Sequence, residues 1–432
     1  MNGKQLLAAL LAAAAVSAAG ASVWAGSASG AGPTSGAREE RTITSKEAKE
    51  AQEREELVQE VTIAPETLDS VSFAQVETLI RENNLNVRVL DEQIAILEEL
   101  DYEDMEQKYR DSLNGMAMMQ DLYRMQSNSY AVQSLQSSYN SLEQSFQDLL
   151  NGKTQRNNAD VVFQLQNAQD QIVMGGQALY IVLLSLDTQK TSLERQLAAL
   201  NRTVEEMELR YQLGQISALT LQQTKAGRSS LISGLETLKM NIRTSVMQLE
   251  NLLGASPSGE ARLGALPSVT EREIAAMDVE RDLASAREKS YELYAAARTL
   301  EDAEDTFEDT AKAERYRETS DAYKSALHTW TAAQDTYNAA IRNYELRFRT
   351  LYEQVKDFYQ VWEASITALE FQQDSYAAQE LRHKQGNLSE NALLSARDEL
   401  EAAEETAVSS ANSLFSAYNN YCWAVQRGIL NA

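Results

Sequence analysis

The chain has 432 residues, 64 acidic against 39 basic, for a formal charge of −25, with only four Pro, eighteen Gly, one Cys and two His. So acidic a chain excludes nucleic acid as a partner, because phosphate binding needs clustered Lys and Arg. Cys422 alone forms no internal disulfide or Cys-rich zinc site, and His328 and His383 leave little for His-based catalysis. No Ser/His/Asp, metal-ligand or phosphate-loop pattern accompanies the acids, so the composition favours a long-helix interaction or conduit protein over an enzyme, with no cofactor.

The first predicted element is a targeting segment. Lys4 supplies a short positive region, Leu6 to Ala19 are apolar, and small residues around Val23, Ala25 and Ala28 offer cleavage sites, so residues 1–28 read as a signal peptide. Residues 29–67, rich in Gly, Ser and Ala and then charged, read as a flexible leader. Beyond the signal, the longest apolar run, Ala178 to Leu186, is too short to span a bilayer as a helix, so the processed chain is expected to be exported and water-soluble.

The breakers then divide the chain. Pro33 and Pro65 fall in the leader, while Pro257 and Pro267 bracket a linker at 255–267 that separates helical segments at 68–254 and 268–432. From Ser268 to Gln385 there is neither Gly nor Pro, which predicts near-continuous helix folded into long hairpins. In the first segment Leu193, Leu197, Leu200, Val204, Met207 and Tyr211 alternate steps of four and three, as do Leu231, Leu235, Leu238 and Ile242. Ile341, Tyr344, Phe348, Leu351, Val355, Phe358 and Trp362 continue the pattern in the second. These are coiled-coil seams, and their aromatic residues read as packing surface. No sustained period-two run with turn signals occurs, so the expected fold is all-α: long antiparallel helical hairpins with little or no β-structure.

An internal match carries the functional argument. Leu209-Arg-Tyr-Gln-Leu-Gly-Gln-Ile-Ser217 and Leu381-Arg-His-Lys-Gln-Gly-Asn-Leu-Ser389 align at an offset of 172, extended by Leu221 with Leu393 and Lys225 with Arg397. Gly after a periodic helix supplies a positive φ and Ser three residues later caps the next helix, so each copy is a tight helix-to-helix turn. A weaker match places Arg81 against Arg287 at an offset of 206, with the extra first-half chain expected near Gly115 or in Asn151 to Asp160. Together they point to a tandem internal repeat.

On these turns, and on the Ile80-Arg-Glu-Asn-Asn-Leu85 stretch that ends a short leading helix, the sequence from Ser72 onward resembles the TolC family of outer-membrane efflux proteins. The resemblance implies a trimer in which six helical hairpin units surround a tunnel. It places the Gly turns at a tip that meets a membrane-fusion adaptor, itself coupled to an inner-membrane pump. By this analogy Leu213, Gly214, Ile216 and Ser217, with Gln385, Gly386, Leu388 and Ser389, are docking residues. The sequence departs from the family at two places. Residues 98–176 and 295–344, where members insert barrel-forming β-hairpins, are polar and helical in character, with no strand of alternating apolar residues long enough to face lipid. Ala392 stands where many members put an Asp of a tip constriction, and Glu390, Asp398 and Glu399 read as a solvated helix face. Two functions remain open: the tunnel or docking component of an efflux or type I export system in the cell envelope, or an exported coiled-coil scaffold of the same fold without transport.

Overall fold

The computed structural model describes residues 67–430; the signal peptide and nearly all of the leader expected from the sequence lie outside the described residues. In the first half a short strand β1 (Ser70–Val71) precedes α1 (Phe73–Asn83), α2 (Leu85–Glu98), α3 (Tyr102–Met125), α4 (Ser129–Leu150), α5 (Lys153–Gln212) and α6 (Ala218–Leu252). Strand β2 (Arg262–Leu263) pairs in parallel with β1. The second half holds α7 (Glu271–Ala275), α8 (Val279–Lys289), α9 (Tyr291–Ala313), α10 (Asp321–Lys384) and α11 (Glu390–Arg427). The fold is thus almost wholly helical, as the periodicity predicts. Helix α5 has 60 residues and α10 has 64, so each reaches about 90 Å or more at about 1.5 Å per residue.

The expected run of helix from Ser268 to Gln385 is cut into four pieces, although it contains neither Gly nor Pro. Side chains that cap backbone N–H groups do the cutting. Thr270, Asp278 and Ser290 each accept from an N–H in the helix that follows. The α9–α10 turn uses Arg315 and Tyr316 at φ of 52° and 56°, with Tyr316 N–H donating to the Ala311 carbonyl at 2.7 Å. A left-handed turn built without glycine leaves no mark in composition.

Two helix junctions have the same construction. Asn84 ends α1 and starts α2 at φ −70°, ψ 120°, and Ser290 ends α8 and starts α9 at φ −71°, ψ 113°. The pair keeps the 206-residue offset that relates Arg81 to Arg287. Each junction rests on a glycine that closes a long helix. A Cβ on Gly254, just after α6, would lie 2.4 Å from the Asn83 carbonyl oxygen, and one on Gly428, just after α11, would lie 2.4 Å from the Ser290 nitrogen.

The core gathers around these junctions. Phe73, Val76 and Ile80 of α1 pack with Val173, Tyr180 and Leu183 of α5, and Leu283 and Ala286 of α8 pack with Tyr344 and Phe348 of α10. Two buried phenols hold the ends. The Tyr180 hydroxyl shares its proton between the carbonyls of Val71 at 3.0 Å and Gly264 at 2.8 Å, tying β1 to the chain after β2. The Tyr344 hydroxyl does the same for Ala286 and Gly428, both at 3.0 Å. Burial pushes the Tyr344 phenol up to about 12, so it remains a donor throughout the physiological range. Among the described residues α5 is the one helix long and apolar enough to cross a membrane by length and composition. Its apolar residues Val173, Tyr180 and Leu183 are nevertheless buried within the chain.

The predicted seams largely face inward: Val204, Leu235, Leu238, Tyr344, Phe348 and Val355 are buried. After Val355 the seam of α10 passes to Tyr359 and Trp362, whose rings lie 5.7 Å apart, and leaves Phe358 outside. The linker at 255–267 is folded onto the core. Glu250, fully buried near the end of α6, accepts from Ser258 Oγ at 2.8 Å, Gly259 N–H at 2.7 Å and Ala261 N–H at 3.1 Å. Burial alone would raise this carboxyl, but those donors favour the anion and hold it below the usual range.

A depressed folded-state value contributes stability that is present above the unfolded value of 4.5 and is lost as the pH falls through the folded one. The Glu250→Gln variant turns an amide toward N–H donors and should be about 1–3 kcal/mol less stable near neutrality. Urea denaturation between about pH 3 and pH 7 should show the gap between wild type and variant closing on acidification. A gap that stays constant with pH would rule out the anion as the source of the stabilisation.

Candidate functional site: the paired glycine turns

Helix α5 ends in a turn of defined hydrogen bonding. The N–H of Gly214 donates to the Tyr211 carbonyl at 2.9 Å and that of Gln215 to the Arg210 carbonyl at 2.8 Å, with Gly214 at φ +69°. Helix α10 ends identically: Gly386 donates to His383 at 2.9 Å and Asn387 to Arg382 at 2.9 Å, with Gly386 at φ +75°. This is the Schellman closure, which needs the left-handed residue that glycine supplies. Ser217 then caps α6 by accepting from Thr220 N–H at 3.2 Å, and Ser389 caps α11 by accepting from Ala392 N–H at 3.3 Å.

The turns are level because α5 and α11 keep one antiparallel register. The Gln177 side-chain oxygen accepts from Trp423 Nε1 at 2.8 Å. Farther along, Arg195 grips Glu405 with two bonds of 3.0 Å, and Arg202 pairs with Asp398. Arg202 precedes Gly214 by twelve residues and Asp398 follows Gly386 by twelve, so continuing the register brings the two glycines to one end of the bundle. The Arg195–Glu405 pair is mostly buried, with side chains 16% and 14% exposed. The Arg195 guanidinium holds the Glu405 carboxyl below the usual range.

All eight residues singled out from the sequence lie in these two turns. Leu213, Gly214, Ser217, Gln385, Gly386 and Ser389 are exposed, whereas Ile216 and Leu388 are half-buried and turned partly into the tip. Leu213 is 63% exposed; sequence reasoning passed over three further exposed apolar groups beside the turns, Leu219 at 67% and Leu209 and Leu381 at 57% each. No heavy atom beyond the neighbouring residues lies within 4 Å of a Cβ placed on Gly214 or Gly386, so both turns project into open space. Asp398, read from the sequence as part of a solvated face, is instead held by Arg202, while Glu390 and Glu399 are exposed. The signal for that pair was equal distance from the two glycines.

Chemically the turns present leucine side chains and capping hydroxyls. A shallow cleft between α5 and α11 is lined by Asp187, Glu194, Arg195, Glu401, Glu404 and Glu405. Among the described residues no group of His, Cys, Asp and Glu is placed to hold a metal ion.

No family model and no curated protein matches the sequence. Solved structures do match. A membrane protein from Pseudomonas aeruginosa aligns with a TM-score of 0.50 at 10% identity, over 82% of this chain and 90% of that one. The outer membrane protein VceC of Vibrio cholerae aligns at 0.42 and 16%, over 63% and 74%, and the outer membrane channel CmeC of Campylobacter jejuni at 0.44 and 12%, over 68% and 67%. At such identities the likeness is one of fold alone, shared with the Pseudomonas aeruginosa structure over most of both chains.

The α5–α11 register yields a double-mutant prediction. Arg195→Met alone leaves Glu405 mostly buried without its cation and should cost about 2 kcal/mol, with Glu405→Leu similar. The double variant should recover much of that loss in denaturation, giving a coupling of about 1 kcal/mol or more. Additive losses would mean that the pair does not set the register.

Proposed function

We propose that the chain is the tunnel or docking component of an efflux or type I export system in the cell envelope. In this reading it meets a membrane-fusion adaptor through the Gly214–Ser217 and Gly386–Ser389 turns. The observation that supports it is the pair of turns itself: two identical closures, level with one another, open to solvent and edged by exposed leucines. Two matched tips give one subunit two equivalent seats for a helical partner. A homotrimer would then present six around a tunnel, with an inner-membrane pump beyond the adaptor. The same reading takes 68–254 and 268–432 as tandem repeats joined by 255–267. Its support is the common geometry of Asn84 and Ser290 and of the glycines beneath them. Residues 1–28 are the export signal in this scheme.

One observation favours the second reading, an exported scaffold of this fold without transport. Where the resemblance implies barrel strands, the chain forms the helical hairpins α3–α4 and α9–α10. Adaptor binding separates the two readings.

Valine has room at both glycines, so the Gly214→Val/Gly386→Val variant should keep its circular dichroism and lose only about 1–2 kcal/mol per site from the left-handed backbone. Crosslinking to the adaptor, or export, should fall about tenfold or more. Glu399→Gln, on an exposed face, should change little. Full adaptor binding by a fully helical double variant would favour the scaffold.

A further inference from the structure

Helix α3 has two packing faces, and the chain covers one. Leu113 and Gln120 are buried on the side toward α4, where Tyr109 and Phe146 meet edge to face at 6.5 Å. On the opposite side, at about 100° per residue, lie Gly115, Met118, Leu122 and Met125, spaced by three, four and three. Met118, Leu122 and Met125 are 80%, 52% and 84% exposed, and Met119 beside them is 49% exposed. This is coiled-coil spacing without a partner.

Charge identifies the partner. From Ser112 to Leu142 the only charged residues are Asp121 and Arg124, which pair with each other at 3.2 Å, in a chain whose formal charge is −25. In a contact between like faces every unpaired charge meets its own copy, so only a neutral face tolerates it. The other hairpin at this end is the reverse: α9 carries Glu301, Asp302, Glu304, Asp305, Glu308 and Asp309. Copies meeting along α9 would repel. A lipid surface suits the seam poorly, because the polar turn that leads it, Gln126 to Ser129, and the exposed Gln133, Ser134, Ser137 and Ser138 of α4 would have to leave water for an apolar medium.

We propose that the outer seam of α3, Gly115–Met118–Leu122–Met125, packs against the same seam of other copies of this chain, closing a helical assembly at the end away from the glycine turns. The inference rests on the ring-forming reading above and adds a helix-to-helix contact where related channels are expected to use strands. Methionine suits it, because its flexible thioether fills an irregular seam.

The test uses the full chain carrying Cys422→Ala. Met118→Cys should give a disulfide-linked pair of chains under mild oxidation, and Glu308→Cys on α9 should not. Met118→Glu with Leu122→Glu should leave circular dichroism unchanged and weaken association, measured by light scattering, about tenfold or more. Absence of the Met118→Cys link in a chain that still associates would overturn the seam and leave the ring standing. A single-copy mass for the unaltered chain would overturn both. Unchanged association, with the Glu variant losing flotation on phosphatidylcholine–phosphatidylglycerol vesicles, would assign the face to lipid and overturn the proposal.

Discussion

The antiparallel register between α5 and α11 is the constraint from which the rest follows. Gln177 with Trp423, Arg195 with Glu405 and Arg202 with Asp398 fix the two helices, one from each half, so that neither can slide past the other. Apolar seams alone would allow slips of a heptad, since one Leu or Ala layer resembles the next. A directional indole N–H and a two-pronged guanidinium are less forgiving. With the register set, the two Schellman turns end at one height, and Gly428 at the end of α11 reaches the junction at Ser290.

Much of this was legible in the sequence, for identifiable reasons. Gly214 and Gly386 stand out because each sits between long Gly-poor helices and is followed three residues later by Ser, so the turn chemistry is written in residue type. The α9–α10 turn was not legible, because Arg315 and Tyr316 adopt left-handed angles that composition does not advertise. Past Val355 the seam of α10 keeps Trp362 as expected but takes Tyr359 in place of Phe358. A strict alternation of threes and fours drifts against a straight helix of 3.6 residues per turn. How the linker at 255–267 packs was not legible, since the acid that holds it, Glu250, lies outside it and reads as one more helix-face carboxylate. Within the site, spacing located the tips, but only the coordinates distinguish the exposed Leu213 from the half-buried Ile216.

The two ends of the bundle obey different physics. At the glycine end the turns are short and their backbone groups are paired within the turn, leaving a small surface of leucines and capping hydroxyls. At the other end two helical hairpins emerge, one carrying only Asp121 and Arg124 as charged residues between Ser112 and Leu142 and the other strongly acidic. Helices satisfy their own backbone, whereas strands need neighbours to do so. A wall of hairpins therefore asks only for side-chain complementarity between its members.

The pairing of α11 also bears on how the chain comes to its native state. This helix packs along α10 and bonds to α5, and the turn that follows it carries Gly428, whose carbonyl receives the Tyr344 hydroxyl. Until α11 is in place the strips of α5 and α10 that it covers stay open, and the α8–α9 junction has no seat. The last of the described helices to leave a ribosome is thus the one on which closure of both halves waits. Loss of α11 is therefore a lesion of the whole bundle rather than of one half.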